Sequence, residues 1–336
     1  MAATTDTVHT ISVVIPVYRG EATLEAFVSE IIQWTDPFVT PAGHHARISE
    51  ILLVFDHGPD NSAKVIRELT SAHQVVRPIW LSRNFGQHAA TLAGMASSGG
   101  DWIVTLDEDG QYDPADIGVF LDTALAEGVP LVYARPTNSA PHGLFRNLAS
   151  RAAKRIVDVL SGNRSARNFH SYRLILGEIG RSVAAYAGSG VYLDVALGWV
   201  APEATTAPTT LRPESRKSGY SLRSLASHFW RLVLTSGTRG LRMVAACGVI
   251  VAVLGVAYAI YLAVVQLTTG RIAEGWTSLM VVQLLTAGLV LSSLGVIAEY
   301  VGVAVNMAMG RPPYLIVSDP ADGPLGRDRA RHEQSD

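Results

Sequence analysis

Two aspartates, Asp107 and Asp109, stand near the end of the segment DWIVTLDEDGQYDP at residues 101–114. Residues i and i+2 of an extended chain point to the same side, so the two carboxylates can share one cation. A hard divalent ion such as Mg²⁺ takes oxygen ligands and readily keeps phosphate oxygens among them. The apolar run before the pair, residues 102–106, reads as a buried strand. Open α/β sheets bind their ligands beyond the carboxyl ends of such strands. The pair therefore points to a metal–diphosphate site; the plainer reading is a solvated acidic turn, which an isolated Asp-x-Asp also allows.

The elements that must position this pair follow from periodicity. Residues 11–17, 51–55, 75–81, 102–106 and 131–134 are short β-rich runs. Helical patterns separate them, at about 23–34, after Asn61-Ser62, at 86–97 and at 114–127, the last with Pro114 at its first turn. Strands alternating with helices of this length predict an α/β fold around a mostly parallel sheet with right-handed crossovers. After Arg135 the pattern changes. A polar loop, residues 136–143, leads to an amphipathic stretch, 144–160, carrying Arg146, Arg151, Lys154 and Arg155. That stripe could face phosphate or simply be a solvated face drawn to anionic lipid. Further short strands are expected near 172–176 and 209–212.

The 336 residues carry a net charge of −2, which is not the basic footprint of a nucleic-acid-binding domain. Two long uncharged runs, 243–265 and 275–298, each exceed the roughly 20 residues a helix needs to cross the hydrocarbon core. Arg223, Arg231, Arg239 and Arg242 precede the first run and Arg311 follows the second, whereas the connecting loop holds only Arg271 and Glu274. The positive-inside rule then puts both termini in the cytoplasm. Residues 222–234, LRSLASHFWRLVL, have the composition of a helix lying in the membrane interface. The first ten residues have no basic cluster ahead of an apolar stretch, so no cleaved signal peptide is expected. The single cysteine, Cys247, lies within the first run and supports neither a disulfide framework nor a Cys-based zinc site. The expected organisation is a catalytic domain over 1–221, an interfacial amphipathic helix over 222–240, and two transmembrane helices within 241–309, at about 243–265 and 276–298. A tail over 310–336 follows, first a strand and then disordered.

Five motifs fall in one order: IPVY at 15–18, VFDHGPDNS at 54–62, LSRNFGQHAA at 81–90, LDEDGQYDP at 106–114 and RKSGYS at 216–221. In this order the chain resembles the inverting family-two glycosyltransferases of the nucleotide-diphospho-sugar transferase, GT-A-like fold. The likeness is greatest to the branch that glycosylates polyprenyl phosphate, and it covers nearly the whole chain. The resemblance implies that Pro16, Tyr18 and Glu21 line the nucleotide pocket, with Asp56 near the base or ribose. It implies that Arg83, Asn84, Phe85 and Gly86 wall the diphosphate, with Gln87 and His88 beside it. Asp107, Asp109 and Gln111 would gather Mg²⁺ or Mn²⁺ and the diphosphate. Arg135 would sit near the donor diphosphate or the acceptor phosphate, and Arg216, Lys217 and Ser218 would meet phosphate at the membrane face. The chain departs from the family pattern in two places. His57-Gly58 stands where Gly-Ser is usual, with Phe55 in a polar position. Arg216 stands where Gly is usual in the basic motif and Arg212 lies slightly out of register, leaving open which arginine binds phosphate.

The implied function is transfer of one sugar from a UDP- or GDP-sugar to polyprenyl phosphate on the cytoplasmic leaflet of the inner membrane. A phosphate monoester is already anionic at neutral pH, with a second pKa near ~6, so no strong general base is required. Two other readings stay open: another lipid or protein acceptor, and a catalytically silent nucleotide-sugar-binding scaffold. The segment RPPYLIV, 311–317, could form a strand that pairs with a neighbouring subunit, as in relatives that are tetramers, which would make the chain a homo-oligomer.

Overall fold

The structure, a computed structural model, describes residues 7–138, 170–188, 191–201, 203–212, 239–269 and 275–323. Its centre is one nine-stranded sheet. The strands are β1 (His9–Val17), β2 (Phe38–Val39), β3 (His45–Phe55), β4 (Val76–Leu81), β5 (Trp102–Thr105), β6 (Leu131–Pro136), β7 (Arg173–Leu176), β8 (Thr205–Thr209) and β9 (Ile316–Val317). Their spatial order is β8-β6-β7-β5-β1-β3-β4-β9, with β2 paired to β3.

The central strands β5, β1, β3 and β4 run parallel, as the alternating pattern predicts. The expectation of a mostly parallel sheet needs one correction. β7 enters antiparallel between β5 and β6, and β2 and β9 are antiparallel as well, so the sheet is mixed. Because β7 is antiparallel to both neighbours, β6 points the same way as β5, and Arg135 reaches the same end of the sheet as Asp107.

Two apolar layers cover the sheet. The period-2 alternation of β1 and β3 decides which side chain joins which layer. Val13, Ile15 and Val17 with Ile51, Leu53 and Phe55 face one layer. Val14 with Leu52 and Val54 face the other. Helix α1 (Leu24–Ile32) covers the first layer with Leu24, Phe27, Val28 and Ile31, a spacing that puts all four on one helical face. Helices α2 (Ser62–Ala72) and α4 (Ile117–Glu127) join it there. A short 3₁₀ turn, Pro114–Asp116, opens α4, and the Asp113 carboxylate caps it by accepting from the Ala115 N–H at 2.9 Å. The second layer is covered by α3 (Gln87–Ala96), α5 (Gly177–Tyr186) and α6 (Leu193–Val200). Full burial of each such aliphatic side chain contributes about 1.5–3 kcal/mol.

Two long apolar helices follow, α7 (Arg239–Thr269) of 31 residues and α8 (Trp276–Ala308) of 33. They contain the two runs expected to be spans. Within α8 the stretch Leu285–Val305, of mean hydropathy 1.8, is long and apolar enough to cross a membrane. In α7 the apolar stretch Val244–Tyr258 is shorter. The amphipathic stretch 144–160 and the interfacial stretch 222–234 lie outside the described residues.

After α8 the chain returns to the sheet. β9 pairs antiparallel with β4 of its own chain, Trp80 opposite Val317 and Leu81 opposite Ile316. The segment expected to reach a neighbouring subunit thus completes its own sheet. Arg67 of α2 holds it there, its Nε and Nη2 each 2.7 Å from the two carboxylate oxygens of Asp319.

Candidate active site

The carboxyl ends of β1, β3, β4, β5 and β6 lie together, and the loops leaving them form the candidate site. Three of those loops are interlocked by hydrogen bonds. Glu108 accepts from the backbone N–H of Tyr18 and of Arg19, both at 2.9 Å, and its carbonyl accepts from Thr23 Oγ1 at 2.8 Å. Glu21 accepts from the backbone N–H of Asn61 at 3.1 Å and from its side-chain amide at 2.7 Å. Ser62 Oγ accepts from the Gly20 N–H at 2.8 Å while donating to Asp60 at 2.6 Å. Glycine is required at position 58: a Cβ there would lie 1.6 Å from the Tyr18 carbonyl oxygen. That close approach brings the loops after β1 and β3 against each other.

Asp56, buried at the end of β3, accepts from the backbone N–H of Phe85 at 2.7 Å and of Gly86 at 2.8 Å. Burial pushes its carboxyl above the usual range, with the two amide donors opposing that. Asp56 thereby shapes the turn after β4, where Gly86 takes a positive φ of 92° ahead of α3. Arg83 and Asn84 are exposed on that turn, the Arg83 guanidinium standing 4.1 Å from the centroid of the Phe85 ring. His57, the residue that departs from the family pattern, has a φ of 52°, and its Nδ1 lies 2.9 Å from the Leu81 carbonyl oxygen. With a carbonyl as partner, that nitrogen must carry the proton.

Asp107 stands at the floor. Gln87 Nε2 donates to its Oδ1 at 2.5 Å and Ser171 Oγ donates to its Oδ2. Burial, with the charge of Asp109 added, pushes the Asp107 carboxyl up to about 6. Asp109 is exposed and accepts from the Gln111 N–H at 3.0 Å. The rings of His88 and Tyr192 lie against each other, tilted by 52°, with centroids 4.0 Å apart. Pro16 is buried at the end of β1, and Tyr18 and Arg135 are exposed at the rim. Arg212 is drawn to carboxylates, its guanidinium 2.7 Å from Glu30 and 3.1 Å from Asp113, and its N–H donates to the Gln111 carbonyl at 2.9 Å. Arg216, Lys217 and Ser218 lie outside the described residues.

The donor set fits a hard divalent ion. Asp107 and Asp109 are like charges close enough to raise one of them, and a cation between such carboxylates relieves that repulsion. Among the described residues no three acidic, His or Cys side chains form a closed cage. An ion held by two carboxylates keeps positions for phosphate oxygens, which suits Mg²⁺ or Mn²⁺.

Residues 12–188 match the model of glycosyl transferase family 2. The chain belongs to that family. It is a glycosyltransferase, on a GT-A-like mixed α/β sheet. The undecaprenyl-phosphate 4-deoxy-4-formamido-L-arabinose transferase of Klebsiella pneumoniae (strain 342) is 30% identical over 313 residues, covering 92% of this chain and 93% of that one. The enzyme of the same name from Proteus mirabilis (strain HI4320) is 28% identical over 322 residues, covering 94% and 95%. A crystal structure of glucosyl-3-phosphoglycerate synthase from Mycobacterium tuberculosis, in complex with Mn²⁺, UDP and glucosyl-3-phosphoglycerate, aligns with TM-score 0.49 at 18% identity, covering 69% of this chain and 80% of that one.

Three polar side chains at the floor were not singled out by the motifs: Ser171, Arg173 and Asp194. Their signal in the sequence is a charged residue inside an otherwise apolar element, Arg173 opening RLIL and Asp194 within LDVALGWV. A charge placed there has to be paired, because burying it alone is costly.

Proposed function

We propose that this glycosyltransferase moves a single sugar from a nucleotide-diphosphate donor, UDP- or GDP-linked, to a polyprenyl phosphate at the cytoplasmic face of the inner membrane. The convergence of the Asp107–Asp109 pair with the Asp56-held turn and Arg135 at one end of the sheet carries this reading. The names of the relatives, which span nearly the same length and act with undecaprenyl phosphate, support the acceptor.

In this reading the Asp56-shaped turn, with Arg83 and Asn84, borders the diphosphate, and Tyr18 with Glu21 and the interlocked loops shape the nucleotide pocket. Asp107, Asp109 and Gln111 hold Mg²⁺ or Mn²⁺, and the ion when bound stabilises charge on the leaving diphosphate. The acceptor phosphate oxygen forms the new bond to the anomeric carbon on the face opposite the leaving group. The bond from that carbon to the diphosphate oxygen breaks, and its electron pair leaves with the nucleoside diphosphate. The acceptor oxygen carries no proton, so no side chain has to remove one. Arg135, a fixed cation at the same end, binds the acceptor phosphate together with Arg216, Lys217 and Ser218. Arg212 is assigned to holding the Gln111 loop, since Glu30 and Asp113 already engage it. The catalytic domain spans 1–221, residues 222–240 lie in the interface, and α7 and α8 cross the membrane with both termini cytoplasmic, bringing the site to an acceptor whose tail stays in the bilayer.

The test is nucleotide release by detergent-purified protein from a panel of UDP- and GDP-sugars, including a formamidopentose donor. Each is assayed with Mg²⁺ or Mn²⁺ and with or without undecaprenyl phosphate. Release that requires both metal and lipid phosphate is expected; release indifferent to the lipid phosphate would remove the acceptor assignment.

A further inference from the structure

Behind Asp107 runs a buried chain of polar contacts that the roles above leave unused. Ser171 Oγ donates to Asp107 Oδ2. The Ser171 carbonyl accepts from Thr105 Oγ1 at 2.5 Å, and Thr105 Oγ1 accepts from Arg173 Nε at 3.1 Å. The Arg173 Nη1 then donates to Asp194 Oδ1, which also accepts from the Tyr133 hydroxyl at 3.1 Å. The sheet fixes this order, since Arg173 lies opposite Thr105 in the β5–β7 pairing and opposite Tyr133 in the β6–β7 pairing. Arg173 and Asp194 are 3% and 4% exposed.

A buried ion pair is weak support for stability, because apolar side chains of similar volume commonly do as well. Its placement is informative instead. The Arg173 charge acts on Asp107 as well as on Asp194. Left alone in this low-dielectric floor, the guanidinium would be drawn to the nearest carboxylate on offer. Asp194 is the second carboxylate that takes it up. Asp194 also sits in the first turn of α6, two residues after Tyr192, whose ring lies against that of His88.

We infer that Ser171, Arg173 and Asp194 are positioning residues for the cation and diphosphate site, Ser171 fixing the Asp107 carboxylate from behind and Asp194 holding the Arg173 guanidinium away from it. This rests on the reading of Asp107 as a metal ligand. Partners behind a metal ligand typically change metal affinity by about 10–100-fold when removed.

The decisive measurement is Mn²⁺ binding by the full-length protein in detergent, followed through the paramagnetic resonance signal of free Mn²⁺. Metal-free thermal melts accompany each variant. Asp194→Asn keeps the volume and the acceptor for Tyr133 but removes the charge, and it should weaken Mn²⁺ binding by about 10-fold or more. Adding Arg173→Gln removes the released cation and should return binding to within about 3-fold of the unsubstituted protein, a recovery that a merely structural pair would not produce. Ser171→Ala should weaken binding by about 10-fold with an unchanged melt, and it decides the matter if Asp194→Asn does not fold. Unchanged Mn²⁺ binding in folded Asp194→Asn or Ser171→Ala, or no recovery in the double variant, overturns the inference while leaving the metal reading intact. Failure of the unsubstituted protein to bind Mn²⁺ overturns both, and is recognised by the unsubstituted protein alone.

Discussion

At the scale of single residues, the three consecutive acids 107–109 divide their work. They lie in the turn after β5, where Asp107 takes the Gln87 amide and the Ser171 hydroxyl, Asp109 takes the Gln111 N–H, and Glu108 takes the amides of Tyr18 and Arg19. Under the proposed function, replacing the exposed Asp109 should cost chemistry and not folding. Asp109→Ala is expected to lower donor turnover by at least about 100-fold, as removal of a group stabilising transition-state charge does, with an unchanged circular dichroism melt. Gly58→Ala should act the opposite way. The added methyl collides with the Tyr18 carbonyl, and overpacking of this kind costs about 1–3 kcal/mol. A lower melting temperature together with a raised KM for the nucleotide sugar is expected, checked by calorimetry and initial rates. The place of the acidic pair, just after β5, was legible in the sequence because its apolar strand is local. Ser171, Arg173 and Asp194 were not, because each acquires its meaning from a partner far along the chain, Ser171 from a carboxylate 64 residues earlier.

At the scale of elements, the five strands that alternate with helices in the first 135 residues are all present, because burial on two faces writes a continuous apolar run into each. β3 begins at His45, earlier than expected, since its first half alternates polar and apolar residues through ARISE. The two-residue β2 carries too little pattern to be read, and although β9 lies within the segment 311–317 that reads as a strand, nothing local tells it that its partner is β4. What fixes β9 is tertiary: the Arg67–Asp319 pair, the Ser82 N–H donating to the Leu315 carbonyl at 2.9 Å, and Tyr314 and Val317 against the two apolar layers. The Arg67 hydrogen bonds hold the Asp319 carboxyl below its ordinary value. A depressed carboxyl contributes stability above the unfolded value, near ~3.9, and loses it as pH falls through the lower folded value. Asp319→Asn should accordingly lower the melting temperature at pH 7, and the difference from the unsubstituted chain should shrink as the melt is repeated toward pH 3. A difference constant across that range would show that the carboxylate charge is not what secures β9.

At the scale of the whole molecule, the long helices do more than supply apolar length, because the chain that leaves them returns to the sheet beside the turn that Asp56 shapes. β4 ends at Leu81, and Arg83 and Asn84 follow immediately on the proposed donor wall. A chain cut before α7 would lose both long helices, the anchor under the proposed function, together with its ninth strand. It would expose the edge of β4, and an unpaired edge is a template for association with other chains. The two losses can be separated. A chain ending at residue 238 is expected to melt lower and to aggregate. A chain in which residues 239–310 are replaced by a flexible Gly/Ser linker long enough to reach β4, keeping 311–323, should recover the melt of the catalytic domain. Under the proposed function that linker chain should still bind UDP or GDP with Mn²⁺, yet transfer poorly to undecaprenyl phosphate in vesicles, because it no longer stays at the bilayer surface where the acceptor headgroup is. Calorimetry, nucleotide binding and vesicle transfer measured side by side check this. Equal melts for the two shortened chains would show that β9 contributes nothing to the sheet, and full vesicle transfer by the linker chain would show that the long helices are not what brings the site to its acceptor.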